Sequence, residues 1–336
     1  MRKYFRFLVP LMIMLMAVML SGCGDQYVVL DPKGPIGESQ KDLIWITVWL
    51  CAIILVPVLI LTAVIVWRYR DKKDNKSAYQ PNWEHSTKLE TIWWAIPIII
   101  IAILAGVTIK YTYELEPSKP LESAKQPITI EATSLDWKWL FTYPEEGIST
   151  VNYVQIPEDT PIRFRVTADQ AMNSFWIPQL GGQIYAMSGM AMTLYLQADE
   201  VGTFFGTGAN FTGEQFAKMT FDVKSTSEAD YTSWVASVKS SAPALTDEGF
   251  EQLKQPGSSD EQFFSAFPEG LFDKVVMQYV GENGVPAHNH GQKSGPVKDE
   301  EGGGHDTSNL EHDMDGMEMT GMEMKGMNHS SHTNQE

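Results

Sequence analysis

The chain has 336 residues and a formal charge of −17, from 25 Lys and Arg against 42 Asp and Glu. Such acidity excludes a nucleic-acid binder, whose phosphate-facing surface needs clustered cations, and two cysteines, Cys23 and Cys51, exclude a disulfide framework. The seven histidines are His85, His288, His290, His305, His312, His329 and His332, so residues 86–287 hold neither His nor Cys. Whatever folds there lacks the imidazole and thiolate ligands of transition metals, and lacks a His or Cys for base or nucleophilic catalysis.

The N-terminus opens with Arg2, Lys3 and Arg6, continues as an apolar run from Phe7 to Leu20, and reaches Leu20-Ser21-Gly22-Cys23. A basic start, a short apolar core and small residues before a cut describe an export signal. Cys23 after Leu-Ser-Gly resembles the bacterial lipoprotein signal, in which the thiol is lipidated and the chain is cut before it. The alternative is an ordinary export signal with a chance cysteine.

Two charge-free segments follow, Leu43 to Trp67 and Thr91 to Ile109, of 25 and 19 residues. At about 1.5 Å per residue each can cross a hydrocarbon core of about 30 Å. Trp45, Trp49, Trp67, Trp93 and Trp94 sit towards the segment ends, where interfacial aromatics are expected. The connection from Arg68 to Glu90 carries six basic residues against four acidic ones, which orients it to the cytoplasm and the rest of the mature chain to the outside.

Beyond the helices, short β-rich runs are expected at 128–133, 137–141, 151–156, 162–166, 192–197 and 219–223, punctuated by Pro144, Pro157, Pro161, Gly181, Gly182 and Gly189. Strands this short and closely spaced predict an all-β sandwich or barrel. Helical spacing then appears over Glu228–Ser240, Thr246–Leu253 and Leu271–Tyr279. From about Gly281 the chain is rich in Gly, His, Met and acidic residues without an apolar period, which predicts a disordered tail.

The order of signal, two membrane helices and β-domain resembles subunit II of the haem–copper terminal oxidases, with three motifs carrying the match. They are Leu89-Glu90-Thr91-Ile92-Trp93 at the start of the second helix, Asp136-Trp137-Lys138-Trp139 in the domain, and the run from Ser174 to Gln183, Ser-Phe-Trp-Ile-Pro-Gln-Leu-Gly-Gly-Gln. The resemblance spans about residues 20–280 and implies a cupredoxin-like sandwich. In the cytochrome c oxidases this domain holds a dinuclear copper centre, built from a His before the Ser-x-x-x-Pro segment and a later Cys-x-Glu-x-Cys-x-x-x-His-x-x-Met run. Aligned on those motifs, Asn173 stands at the first His, Gly208 and Thr212 at the two Cys, Asn210 at the Glu and Phe216 at the second His, while Met219 is retained. One thioether cannot hold two coppers.

Loss of these ligands is similar to the quinol-oxidising branch of the family. Residues Val29 to Pro35 and Ala209 to Glu214 resemble the menaquinol oxidases of Gram-positive bacteria, and the segment after Thr226 resembles that branch's C-terminal extension. The resemblance implies a structural partner of a catalytic subunit I that carries the haems and remaining copper, with smaller subunits beside it. It implies menaquinol as the complex's substrate, no cofactor on this chain, no catalytic residue in it, and no cytochrome c partner. The expected organisation is a signal peptide (1–22), a lipid-anchored external segment (23–42), a first membrane helix (43–67), a cytoplasmic loop (68–90) and a second membrane helix (91–110). An external cupredoxin-like domain (111–225), a helical extension (226–280) and a disordered Met/His-rich tail (281–336) follow.

Glu90 has two readings. In the resembled family the matching Glu lies at the entrance of a proton pathway into subunit I, and a carboxylate at a membrane helix mouth is costly unless solvated or functional. Thr87-Lys88-Leu89-Glu90 also fits a capping box, with Glu90 favoured by the helix dipole. Trp137 and Trp139 are expected as core or subunit-contact aromatics. The tail residues Met314, Met317, Met319, Met322, Met324, Met327, His329 and His332 suit soft metal ions, although no fixed spacing distinguishes them from a solvated low-complexity tail. A lipid-anchored copper-binding or assembly protein that uses this tail is therefore the competing function.

Overall fold

The computed structural model describes residues 27–70 and 85–280. Helix α1 runs from Pro35 to Arg68 and α2 from Thr87 to Glu114. Pro35 opens α1 at the position where a missing N–H costs nothing. Both helices are longer than the charge-free runs, because helical geometry continues through Glu38, Lys41 and Asp42 in α1 and through Lys110 and Glu114 in α2. Gly37 is the one buried residue of α1 and Ile100 that of α2. The hydroxyls of Thr47, Thr62, Thr91 and Thr112 donate to carbonyls four residues back, at 2.7–2.9 Å. This satisfies them inside the helix, as a lipid environment requires.

The strands are β1 (Ile128–Leu135), β2 (Lys138–Tyr143), β3 (Ile148–Val151), β4 (Tyr153–Pro157), β5 (Ile162–Ala168), β6 (Asn173–Trp176), β7 (Ile184–Ala186), β8 (Met192–Leu196), β9 (Gly202–Gly208) and β10 (Thr220–Thr226). Helices α3 (Glu228–Ser241) and α4 (Asp247–Leu253), strand β11 (Gln262–Phe264) and helix α5 (Leu271–Met277) complete the order. One sheet is ordered β11-β3-β2-β1-β5-β8 and the other β4-β10-β9-β6-β7. The pairs β1–β5 and β4–β10 are parallel and the other strand pairs antiparallel. The result is the expected two-sheet cupredoxin-like sandwich.

Several elements depart from the expected strands. The run 151–156 is divided at Asn152, which adopts a left-handed φ of 54°. Asparagine tolerates this conformation better than a branched residue, and the chain there leaves one sheet for the other. The Asn152 side chain holds the corner, its Oδ1 accepting from Trp139 N at 2.8 Å and its Nδ2 donating to Ser259 O at 2.7 Å. Strands β6, β7 and β9 lie outside the expected runs, β9 because three of its seven residues are glycines, which carry no β signal. The extension is not purely helical, since β11 adds an edge strand to the first sheet.

The core between the sheets is aromatic. Trp139, Phe141, Phe164 and Phe175 are fully buried, Phe175 stacks on Phe221 at 5.3 Å, and Trp139 meets Phe175 edge-on at 5.2 Å. Tyr143 links the two sheets, its hydroxyl donating to Gln155 O at 3.2 Å and accepting from Gln155 N at 3.0 Å. Burial pushes its phenol well above the usual range.

Polar contacts made by Lys138, Asp169 and Arg165 help tie the extension to the sandwich. Lys138 is only 5 % exposed, and its ammonium donates to Leu253 O at 2.9 Å and Gln255 O at 2.8 Å, carbonyls at the C-terminal end of α4. Burial lowers its pKa below the ordinary lysine value. Asp169 accepts from Gln278 Nε2 at 2.8 Å and faces Lys254 at 3.6 Å. Arg165 bridges Glu131 at 2.7 Å and Asp273 at 3.1 Å, with its guanidinium 4.6 Å from the centre of the Phe272 ring.

The N-terminal end of α1 is docked on the same domain. Lys33 N donates to Gln179 O at 2.7 Å, Gly37 N to Leu180 O at 3.1 Å, and Asp199 N to Lys33 O at 2.9 Å. Gly34 is required by close approach, because a Cβ there would lie 2.1 Å from Gln197 O. Beyond the C-terminal end of α2, Tyr195 N donates to Pro117 O at 3.0 Å. The sandwich therefore adjoins one end of the helix pair.

Candidate functional site: a filled copper position and a carboxylate at the helix mouth

The structure brings three of the six copper-ligand positions together. Asn173 opens β6, Gly208 closes β9 and Met219 immediately precedes β10, so neighbouring strands of the second sheet deliver them to one place. Asn173 is 1 % exposed and Met219 is fully buried. The Asn173 amide Nδ2 lies 2.9 Å from Met219 Sδ and 3.3 Å from Ser134 Oγ, and its Oδ1 accepts from Ser174 N at 2.8 Å. A Cβ on Gly208 would meet both Asn173 side-chain heteroatoms at 2.9 Å and the Met219 sulfur at 3.2 Å. The amide thus fills the space that a cysteine side chain at position 208 would need.

Asn210 and Thr212 lie in the segment between β9 and β10, and Phe216 opens a short 3-10 helix there, Phe216–Lys218. Thr212 O accepts from Trp137 Nε1 at 3.2 Å, and Phe216 packs edge-on against Phe211 at 5.7 Å. Trp137 is held in a left-handed conformation with φ 61°, and it shields the loop at Gly213, where a Cβ would lie 3.1 Å from its ring. Trp139 is core, fully buried among phenylalanines. A donor set of one amide and one thioether does not fit a dinuclear copper centre. Among the described residues no group of three His, Cys, Asp or Glu side chains converges on a metal-sized site.

Glu90 sits in the first turn of α2. The helix begins one residue earlier than a capping box at Thr87 requires. Ser86 occupies the N-cap without a side-chain bond, and Glu90 N donates to Ser86 O at 3.0 Å as an ordinary helical amide. The Glu90 carboxylate is consequently not used as a cap, and it pairs with His85 Nδ1 instead. The side chains of His85 and Glu90 are 67 % and 46 % exposed. His85 as a partner was not anticipated from the sequence. Its signal was a histidine five residues before the carboxylate, on the non-helical side of a helix start. Cys23 and the tail residues Met314, Met317, Met319, Met322, Met324, Met327, His329 and His332 lie outside the described residues.

Residues 26–110 match the family model of the cytochrome c oxidase subunit II transmembrane domain, 146–226 that of its periplasmic domain, and 239–283 the COX aromatic rich motif. The chain is 46 % identical over 274 residues to cytochrome bo(3) ubiquinol oxidase subunit 2 of Pseudomonas putida, covering 81 % of this chain and 86 % of that one. It is equally 46 % identical over 267 residues to quinol oxidase subunit 2 of Bacillus subtilis (strain 168), covering 78 % and 83 %. It is 40 % identical over 282 residues to quinol oxidase subunit 2 of Bacillus anthracis, covering 84 % and 97 %. These identities set aside the reading as a free-standing copper-assembly protein. The chain belongs to the quinol oxidase subunit II family and is a subunit of a quinol:oxygen oxidoreductase.

Proposed function

We propose that this chain holds the oxidase's proton entrance at Glu90 while its β-sandwich stands on the outer face of a bacterial cell membrane. The observation that carries the reading is the Glu90 carboxylate itself, solvent-accessible at the mouth of an apolar helix and not used as a helix cap. Orientation follows from charge: the sandwich adjoins one end of the helix pair, and the basic connection 68–90 leaves the other, which belongs in the cytoplasm. Haems and copper then reside in a catalytic subunit I, which with smaller subunits packs against the exposed apolar faces of α1 and α2. Electrons enter that subunit from quinol, so no step passes through the copper position filled by Asn173.

Lipidation at Cys23 supplies a further anchor once residues 1–22 are removed as the signal, and residues 281–336 form the Met/His-rich tail. The likeness of residues 29–35 and 209–214 to menaquinol oxidases supports menaquinol as substrate, and the equal identities to a Pseudomonas and a Bacillus relative make a direct comparison of menaquinol with ubiquinol the measurement that decides it. Glu90→Gln in the assembled oxidase tests the entrance. Oxygen consumption should fall while subunit stoichiometry and haem content stay normal. Normal turnover in that variant removes the proton role.

A further inference from the structure

We propose that His85 is the proton-exchanging partner of Glu90, taking protons from water and passing them to the carboxylate. The inference rests on the reading of Glu90 as the proton entrance. His85 Nδ1 is hydrogen bonded to Glu90 Oε1, and both side chains are open to solvent. The other charged groups that the described residues supply at this end of the helices are Lys88 in the first turn of α2 and Arg68 and Arg70 at the end of α1. An exposed ion pair contributes little to stability, so holding the fold together does not account for it. Imidazole is the side chain that gains and loses a proton in the physiological range.

The transfer balances within the pair. Protonated His85 donates its Nδ1 proton to Glu90 Oε1, leaving a neutral imidazole beside a neutral carboxylic acid, and the same hydrogen bond persists with the carboxyl now donating. Glu90 releases the proton inward and returns to carboxylate. His85, exposed enough to rotate, takes another from hydronium or from a water molecule, which departs as hydroxide. His85 is the only histidine among residues 27–280, and it is paired with Glu90, the acidic residue in the first turn of α2.

Magnitudes say when such a relay matters. Capture of hydronium by Glu90 slows in proportion to its concentration, which falls to ~3 nM at pH 8.5. At pH 6 hydronium is roughly 300 times more abundant and direct capture is faster by the same factor. His85 should therefore be needed in alkaline and not in acid solution.

The experiment compares wild type, Glu90→Gln, His85→Ala and His85→Gln as full-length chains in the assembled oxidase, measuring quinol-driven oxygen consumption at about pH 6 and about pH 8.5, on either side of imidazole's usual range. Glu90→Gln should be slow at both. His85→Ala and His85→Gln should equal wild type at the acid pH and be slower by several-fold at the alkaline one, less than the roughly 10² of a buried acid–base group because water still reaches Glu90. Added free imidazole should restore His85→Ala. Wild-type rates for His85→Ala at both pH values overturn the proposal, as does full rescue by His85→Gln, which keeps a hydrogen bond without titrating. Slow Glu90→Gln with unaffected His85→Ala leaves the entrance reading standing, whereas normal Glu90→Gln removes both.

Discussion

In the sandwich the large apolar side chains turn inward, with Trp139, Phe141 and Phe175 fully buried, while on the helices Leu59 and Ile98 each stand 58 % exposed. Hydrophobicity is similar in kind but its satisfaction is not. The domain covers its apolar surface with its own chain, each fully buried large side chain contributing about 1.5–3 kcal/mol relative to exposure in water. The helices leave theirs for lipid and for partner subunits, where burial from water comes from outside the chain. The domain is thus stabilised by its own packing, and the membrane half becomes complete only in its bilayer and complex.

The largest expected effect separates the two regions directly. Phe175→Ala removes the ring that touches Trp139, Phe141, Phe164 and Phe221 and should destabilise the domain by about 3–5 kcal/mol. Ile98→Ala, on an exposed face of α2, should leave domain unfolding in detergent unchanged. Equal losses for both, read by thermal denaturation, would erase the contrast. Next comes overpacking. A Cβ at Gly206 would fall 2.2 Å from the Phe221 ring, so Gly206→Ala should cost about 1–3 kcal/mol.

A smaller effect probes the filled copper position. Gly208→Ala should destabilise the domain by crowding the Asn173 amide, and the double variant with Asn173→Ala should lose less than the two single losses added together, since the clash disappears with the amide. Additive losses would show that the amide does not occupy the cysteine's space.

The smallest effect is a pH dependence. Burial raises the Glu131 carboxyl above its usual 4.5, against opposing contributions from the Thr142 hydrogen bond and the Arg165 charge. The folded state therefore binds this proton more tightly than the unfolded chain does. Its contribution to stability is fully present below about pH 4.5 and is lost as pH rises through the raised folded value. Relative to Glu131→Gln, the wild type should be at its most stable at acid pH and lose that advantage towards neutrality. A Tm difference independent of pH would contradict this sign.

Much of this was legible beforehand where a local signal exists. Charge-free runs of membrane length, strand-like alternation around Ile162–Val166, and the helical spacing of Tyr231, Val235 and Val238 each depend on neighbours in sequence. The gaps have the same explanation in reverse. Strand β9 is held by pairing with β6 and β10 although glycines weaken its own propensity, and β11 exists because β3 offers an edge. The capping box at Thr87 was a sound local match, but the helix starts one residue earlier and Glu90 is left to pair with His85.

The sequence by itself determined the absence of His and Cys between residues 86 and 287, and with it that no dinuclear copper centre of the familiar donor set can form there. Ligand chemistry is a property of residue type, so no folding is needed to read it. Only the tertiary structure decided what stands in that place, since Asn173 and Met219 are 46 positions apart and meet at 2.9 Å through the pairing of strands. It likewise decided that His85 bonds Glu90, because where a helix begins settles which side chains at its mouth face each other.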